Sequence, residues 1–244
     1  METDFYIIAL LIILLAYFIR GITGFGSGLI AIPLLTHLLP LTFVVPLILI
    51  TDTTASVVMS RRAKLQVQWR EIRTLLPSTV VGILIGTFLL INLPKEPLLL
   101  GLGAFIIFFA LRYILNLHNE NPISRWWAAP TGLIGGLIGA MFGTGGPPYV
   151  IYLSHRVQDK TKLVGTLSGL FMIDGGLRVI SFLSMGLFYQ EDMAISLLMT
   201  LPLMLLGLYL GQKVHLKISR RIQLGVIGGL LLLSGGSLIW KAMV

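Results

Sequence analysis

Cysteine is absent from the 244 residues, which removes disulfides, thiolate metal sites and cysteine nucleophiles together. Charge is also scarce. Charged residues make up 11% of the chain against 56% apolar, and the mean hydropathy is +0.92, so no water-facing surface can be assembled from this composition. The four histidines, His37, His118, His155 and His215, fall near the ends of apolar stretches without ligand spacing. No metal site and no cofactor is expected. Acidic residues are outnumbered, 10 against 18 Lys and Arg, but the cations lie between apolar stretches and not along one face, which argues against nucleic acid as a partner. Glu2 and Asp4 precede the first apolar run, where a cleavable secretory signal would begin with positive charge, so this segment is expected to stay in the mature protein.

What the chain has in abundance is apolar runs of membrane length. A hydrocarbon core about 30 Å thick takes about 20 apolar residues per helix. Six stretches fit: Phe43 to Ser60, Thr74 to Ile91, Leu98 to Leu115, Leu163 to Met185, Ala194 to Val214 and Ile222 to Trp240. Two others, Phe5 to Leu39 and Trp126 to Leu153, are interrupted by GITGFGSG and GTGGPP. As one helix at about 1.5 Å per residue the first would be roughly 50 Å long, so it must break or fold back. Trp69, Trp126, Trp127 and Trp240 stand at span boundaries and read as interfacial belt residues.

Loops rich in Lys and Arg stay in the cytoplasm, and four loops hold most of the cations. They carry Arg61, Arg62, Lys64, Arg70 and Arg73; Arg112 and Arg125; Arg156, Lys160 and Lys162; and Lys213, Lys217, Arg220 and Arg221. The connections at 37–42, 95–96 and 191–192 are acidic or nearly neutral and are placed outside, as are both termini. Arg125 and Arg156 then lie on one side, so the segment between them is a hairpin. The same reasoning makes the first broken segment a hairpin with both ends outside. Each half is a hairpin plus three crossings, and an odd number of crossings gives the halves opposite orientation.

Punctuating residues recur at a nearly constant offset, which is the mark of a repeat. Gly24 and Gly26 correspond to Gly143 and Gly145, Asp52 to Asp174, Gly82 and Gly86 to Gly207 and Gly211, and Gly101 to Gly225. The expected fold is an all-α polytopic membrane protein of two inverted repeats, 1–116 and 124–244, each a broken helical hairpin plus three transmembrane helices. Gly82/Gly86 and Gly207/Gly211 read as packing pairs, since small residues let membrane helices approach closely.

The two breaks are read as the functional site. A helix that starts inside the membrane offers unpaired N–H groups and the positive end of its dipole to an anion. Gly24, Phe25, Gly26, Ser27 and Gly28 form the first set of candidate binding residues, and Gly143, Thr144, Gly145, Gly146 and Pro147 the second. Glycine admits close backbone approach, Ser27 and Thr144 add hydroxyls, and Pro147 with Pro148 suits a first helical turn. Matching breaks in two repeats point to a shared site near the midplane.

Three charged residues fall inside spans: Asp52, Asp174 and Arg178. Asp174 and Arg178 are four apart and share a helix face, so two readings stand: mutual neutralisation, or Arg178 as an anion contact with the aspartates as proton carriers. Arg20, before the first break, reads either as an anion-attracting residue at a cavity mouth or as a snorkelling anchor, and the anchor is favoured. GFGSG suggests the serine motif of an intramembrane protease, but Phe25 stands where that motif needs glycine and no mid-span histidine supplies a base. A passive channel would use the same breaks, whereas inverted repeats favour alternating access.

GFGSGLIAIP at 24–33, its second copy GTGGPPYVIYL at 143–153 and the basic loop RRAKLQVQW at 61–69 resemble the TauE/SafE sulfite-exporter family across the whole chain. The resemblance implies a multi-pass transporter in the cell membrane that exports sulfite or small organosulfonates. The expected partners are that anion and the lipid bilayer, with a second copy of the chain as an allowed one.

Overall fold

A computed structural model describes residues 2–23, 26–60, 66–114, 123–214, 229, 232 and 235–243. Among the described residues every regular element is helical: α1 (Glu2–Thr23), α2 (Ser27–Leu35), α3 (Leu41–Ser60), α4 (Trp69–Asn92), α5 (Lys95–Ile114), a short 3-10 turn (Arg125–Trp127), α6 (Ala128–Phe142), α7 (Gly146–Arg156), α8 (Lys160–Ser184) and α9 (Met193–Val214). Residues 235–243 are also helical. Among the described residues four stretches are long and apolar enough to cross a membrane, Leu41–Met59, Trp69–Asn92, Lys162–Ser184 and Met193–Lys213. The chain is an all-α polytopic membrane protein. Most of the expected span from Ile222 to Trp240, and the cations at 61–64 and 215–221, lie outside the described residues.

Proline sits inside several of these helices, and at Pro46 its cost is met by a side chain. Pro46 lacks the N–H that would bond Thr42 O, and the Gln190 side-chain amide donates to that carbonyl at 3.0 Å. Both broken segments bend where expected. Gly26 caps α2 with φ 92°, and Gly143 ends α6 with φ 64°, left-handed conformations that glycine adopts without a Cβ penalty.

The chain divides into two compact units, Met1–Thr51 with Leu93–Leu117 and Tyr189–Val244, and Asp52–Asn92 with His118–Phe188. In the first unit α1 packs along α9; in the second α4 packs along α6. Glycine makes both contacts possible. A Cβ on Gly207 would lie 2.7 Å from Leu14 O, and one on Gly211 would run into Phe18 O. In the second unit a Cβ on Gly82 would run into Leu133 O and one on Gly86 into Leu137 O. The glycines are separated by 125 positions and their carbonyl partners by 119, so the two contacts match residue for residue. Backbones this close gain dispersion energy over their whole length, which is the main attraction left to helices in lipid.

Hydrogen bonds and ion pairs join helix ends that are far apart in the sequence. In the second unit Arg125 and Arg156 reach the same carboxylate, Glu71 Oε1, at 3.1 and 3.2 Å. The ends of the segment running through α6 and α7 therefore meet, and it is a hairpin turning at Gly143–Gly145. In the first unit Lys241 Nζ donates to Thr36 O at 2.7 Å, and His37 Nε2 lies 3.0 Å from Ser237 Oγ.

Replacing Gly82 or Gly207 with alanine should lower stability by about 1–3 kcal/mol, because a methyl group must displace a carbonyl. Gly176, with open space around its Cβ position, should accept alanine with no loss. Thermal unfolding of the purified variants in detergent checks this, and equal behaviour of all three would refute the packing role.

Candidate functional site

The first break follows α1. Gly24 and Phe25 lie outside the described residues. Gly26 has open space where its Cβ would be, and its positive φ disfavours any other residue. Ser27 and Gly28 open α2 and are buried. The first N–H groups of a helix have no partner within it, so this turn presents donors at the break. Arg20 departs from the anchor expectation: it is 7% exposed and its Nη1 donates to Ser27 Oγ at 2.9 Å, spanning the break from the last turn of α1. Close by in the sequence, Tyr17 donates to Thr51 Oγ1 at 2.6 Å.

The second break joins α6 to α7. The N–H of Gly143 closes α6 onto Gly139 O at 2.9 Å, and Arg178 Nη1 donates to that same carbonyl at 2.9 Å. A cation at a helix C-terminus answers the negative end of the dipole as well as a spare carbonyl. Arg178 is paired in turn with Asp174 Oδ2 at 2.7 Å, one helical turn earlier on α8. Asp174 is 1% exposed and Arg178 9%. The Tyr149 hydroxyl lies 3.2 Å from Asp174 Oδ1 and 3.3 Å from Thr79 Oγ1. Thr144, 4% exposed, has a hydroxyl with no hydrogen-bond partner, and the same holds for Arg178 Nε.

Gly145 also meets a packing demand. Its φ is −64°, but a Cβ there would run into Gly135 O and come within 2.9 Å of Gly139 Cα. It is glycine because the two arms of the hairpin touch. Gly146 has ordinary contact distance to the Phe171 ring, 3.5 Å from its Cβ position. Pro147 and Pro148 fill the first turn of α7 but remove two N–H donors, so the amides on offer here are those of Thr144, Gly145 and Gly146. A Cβ on Gly139 would lie 3.4 Å from Gly145 Cα and 3.7 Å from Arg178 Cζ, which places the guanidinium beside these amides.

Among the site residues, the second break, Asp174 and Arg178 are thus brought together within one unit. Asp52 lies half-buried on α3, its carbonyl accepting from Ser56 Oγ at 2.8 Å. Among the described residues no group of three or more His, Asp or Glu is arranged to hold a metal ion. Sequence reasoning missed Tyr149, Thr79, Tyr152 and Glu71. Glu71, 3% exposed, takes Arg125, Arg156 and the Tyr152 hydroxyl, the last at 3.1 Å. The signal was present: Tyr149 and Tyr152 are three apart and share a face of α7.

Apolar spans, helices broken at glycine and buried ionisable side chains beside the breaks are the build of a membrane transport protein. The chain belongs to the sulfite exporter TauE/SafE family, which it matches over residues 9–238. Its relatives include a probable inner membrane transporter protein, TsaS, of Comamonas testosteroni, 26% identical over 80% of this chain and 83% of the relative. A probable sulfite/organosulfonate exporter, TauE, of Cupriavidus necator is 26% identical over 93% of this chain and 90% of the relative. A probable membrane transporter protein of Haemophilus influenzae is 24% identical over 75% of each. No solved structure matches the chain. The family and these relatives are membrane transporters, not enzymes, so the protease reading falls away.

Removing one member of a buried ion pair strands a charge, whereas removing both does not. Asp174→Asn should therefore cost about 3–5 kcal/mol, and Asp174→Asn with Arg178→Gln distinctly less. Thermal unfolding in the absence of added anion measures both, and equal losses would mean that the pair is not mutually neutralising.

Proposed function

We propose that this chain exports sulfite or a small organosulfonate across the inner membrane by alternating access, with its two glycine-rich breaks as the anion-handling elements. The observation that carries the reading is at the second break. A buried guanidinium lies beside Gly139 and Gly145, and the adjoining Thr144 carries a buried hydroxyl without a partner, in a member of a sulfite exporter family. An oxyanion moved there from water exchanges hydration for a cation and preorganised donors. Gly24, Phe25, Gly26, Ser27 and Gly28 act at the first break; Gly143, Thr144, Gly145, Gly146, Pro147 and Arg178 act at the second. Asp52 and Asp174 are the candidate proton carriers, and Asp174 is paired with a cation at the break.

The matched contacts of Gly82 and Gly86 with α6 and of Gly207 and Gly211 with α1 support two structural repeats, 1–116 and 124–244. The shared carboxylate of Arg125 and Arg156 supports a hairpin that leaves the membrane on the side it entered. With basic loops inside, both termini lie outside. A passive channel built on the same breaks is the competing reading, and saturation distinguishes the two, since a carrier turns over one site at a time.

In proteoliposomes, efflux should saturate and respond to a proton gradient, with sulfite and short sulfonates preferred over sulfate and small carboxylates. Linear flux insensitive to pH would support a channel, and preference for carboxylates would overturn the substrate class. Gly26→Leu should abolish flux at a cost of about 1–2 kcal/mol in stability, because its side chain enters open space but φ 92° strains a residue with a Cβ, so the protein still inserts and purifies. Gly145→Leu should lose flux and stability together, because it collides with Gly135 O.

A further inference from the structure

The charges around the second break count to zero without an anion. Asp174 and Arg178 are both buried and 2.7 Å apart, and each is the other's counter-ion. The titratable groups acting on Asp174 are Arg178 on its own helix and Tyr149 on α7. From α4 it meets the neutral Thr79 through Tyr149, while Glu71, the acid of α4, is engaged with Arg125 and Arg156. The α6 segment carries no ionisable residue, and α3 presents Thr53 to α8 at Gly175. An anion placed beside Arg178 while Asp174 stays ionised would bury one negative charge with no partner, a state that low-dielectric surroundings penalise heavily.

Resting on the reading of this break as an anion site, we propose that Asp174 and the transported anion are alternative counter-ions of Arg178, so that each monovalent anion crosses together with one proton and the pair moves no net charge. The proton comes from the water on the loading side and forms an O–H bond on the Asp174 carboxylate. Arg178 keeps its bond to Gly139 O and turns the charge that Asp174 released, together with its unpartnered Nε, to the anion. On the far side the anion leaves, the O–H bond ionises and the ion pair closes again.

Tyr149 is the positioning residue of this exchange. Its one hydroxyl proton has two acceptors at nearly equal distance, Asp174 Oδ1 and Thr79 Oγ1. The ionised carboxylate is the stronger acceptor and takes it; once Asp174 is protonated, Thr79 receives it. Gradients of the anion and of pH then set the direction of flux, and the membrane potential does not.

The test uses the full chain in proteoliposomes with methanesulfonate, an anion that carries no proton of its own near neutral pH. Internal pH is followed by a dye while potassium and valinomycin clamp the potential. An outward gradient should carry out about one proton per anion, with accumulation unchanged by potential. An electrogenic carrier of one charge would instead shift accumulation about 50-fold per 100 mV, and that result overturns the exchange while leaving anion transport standing. Absence of any methanesulfonate or sulfite flux would overturn the transport reading itself, and this inference with it. Asp174→Asn should make flux follow the potential and move no protons; proton movement persisting in that variant would also overturn the proposal. Should Asp174→Asn fail to purify, the wild-type proton-to-anion ratio decides. Tyr149→Phe should move the half-maximal pH of flux upward by about one unit, since the ionised carboxylate loses a donor. A uniform loss at every pH would show a merely structural tyrosine.

Discussion

A helix that stops inside a membrane leaves its last carbonyls and the next helix's first amides without water to satisfy them, at several kcal/mol for each group left bare. At the second break one carbonyl, Gly139 O, draws both the Gly143 N–H and the Arg178 guanidinium. Everything nearby follows from admitting that cation. Arg178 in hydrocarbon needs an anion, which Asp174 supplies. Asp174, fully buried, needs a donor, which Tyr149 supplies from across the hairpin. Tyr149 in turn needs the room left by Gly135, where a Cβ would come within 2.5 Å of its ring. The glycines of α6 thus make space for the side chains that make the break tolerable.

The first break meets the same constraint with different residues. There the guanidinium comes from Arg20 on the hairpin's own first arm and holds Ser27. The residue 119 positions after Arg20 is Gly139, which has no side chain, and Arg178 Cζ lies 3.7 Å from where its Cβ would be. Under the proposed repeat, an arginine on α1 and an arginine on α8 would serve corresponding positions, with the positive charge kept and its point of attachment changed.

Four of the spans, the glycines at the helix junctions and the glycine packing pairs were legible because each has a pattern with a physical cause: apolar length matched to hydrocarbon, glycine and proline against helix continuity, and small residues four apart on a packed face. What escaped was contact across a fold. The sequence gives no sign that Gly145 must also be small because α7 returns onto Gly135. Arg20 reads as an anchor because snorkelling is the usual fate of arginine near a helix end, and the bond to Ser27 depends on α2 folding back. Glu71 read as one acid diluting a basic loop, since nothing in 61–73 tells that Arg125 and Arg156 come to it from elsewhere in the chain.

The two buried acids of the second unit differ in how firmly their charge is held. Both are reached by tyrosines on one face of α7, Tyr152 for Glu71 and Tyr149 for Asp174. Glu71 has two arginines, so its neighbourhood carries surplus positive charge, and losing either partner leaves it paired. Asp174 has one, and that one is also bonded to a helix end. A second anion arriving beside Glu71 would find the carboxylate still needed; arriving beside Asp174 it competes for the same cation. The acid at the end of the hairpin is therefore suited to hold the fold, and the acid at its turn is suited to change state.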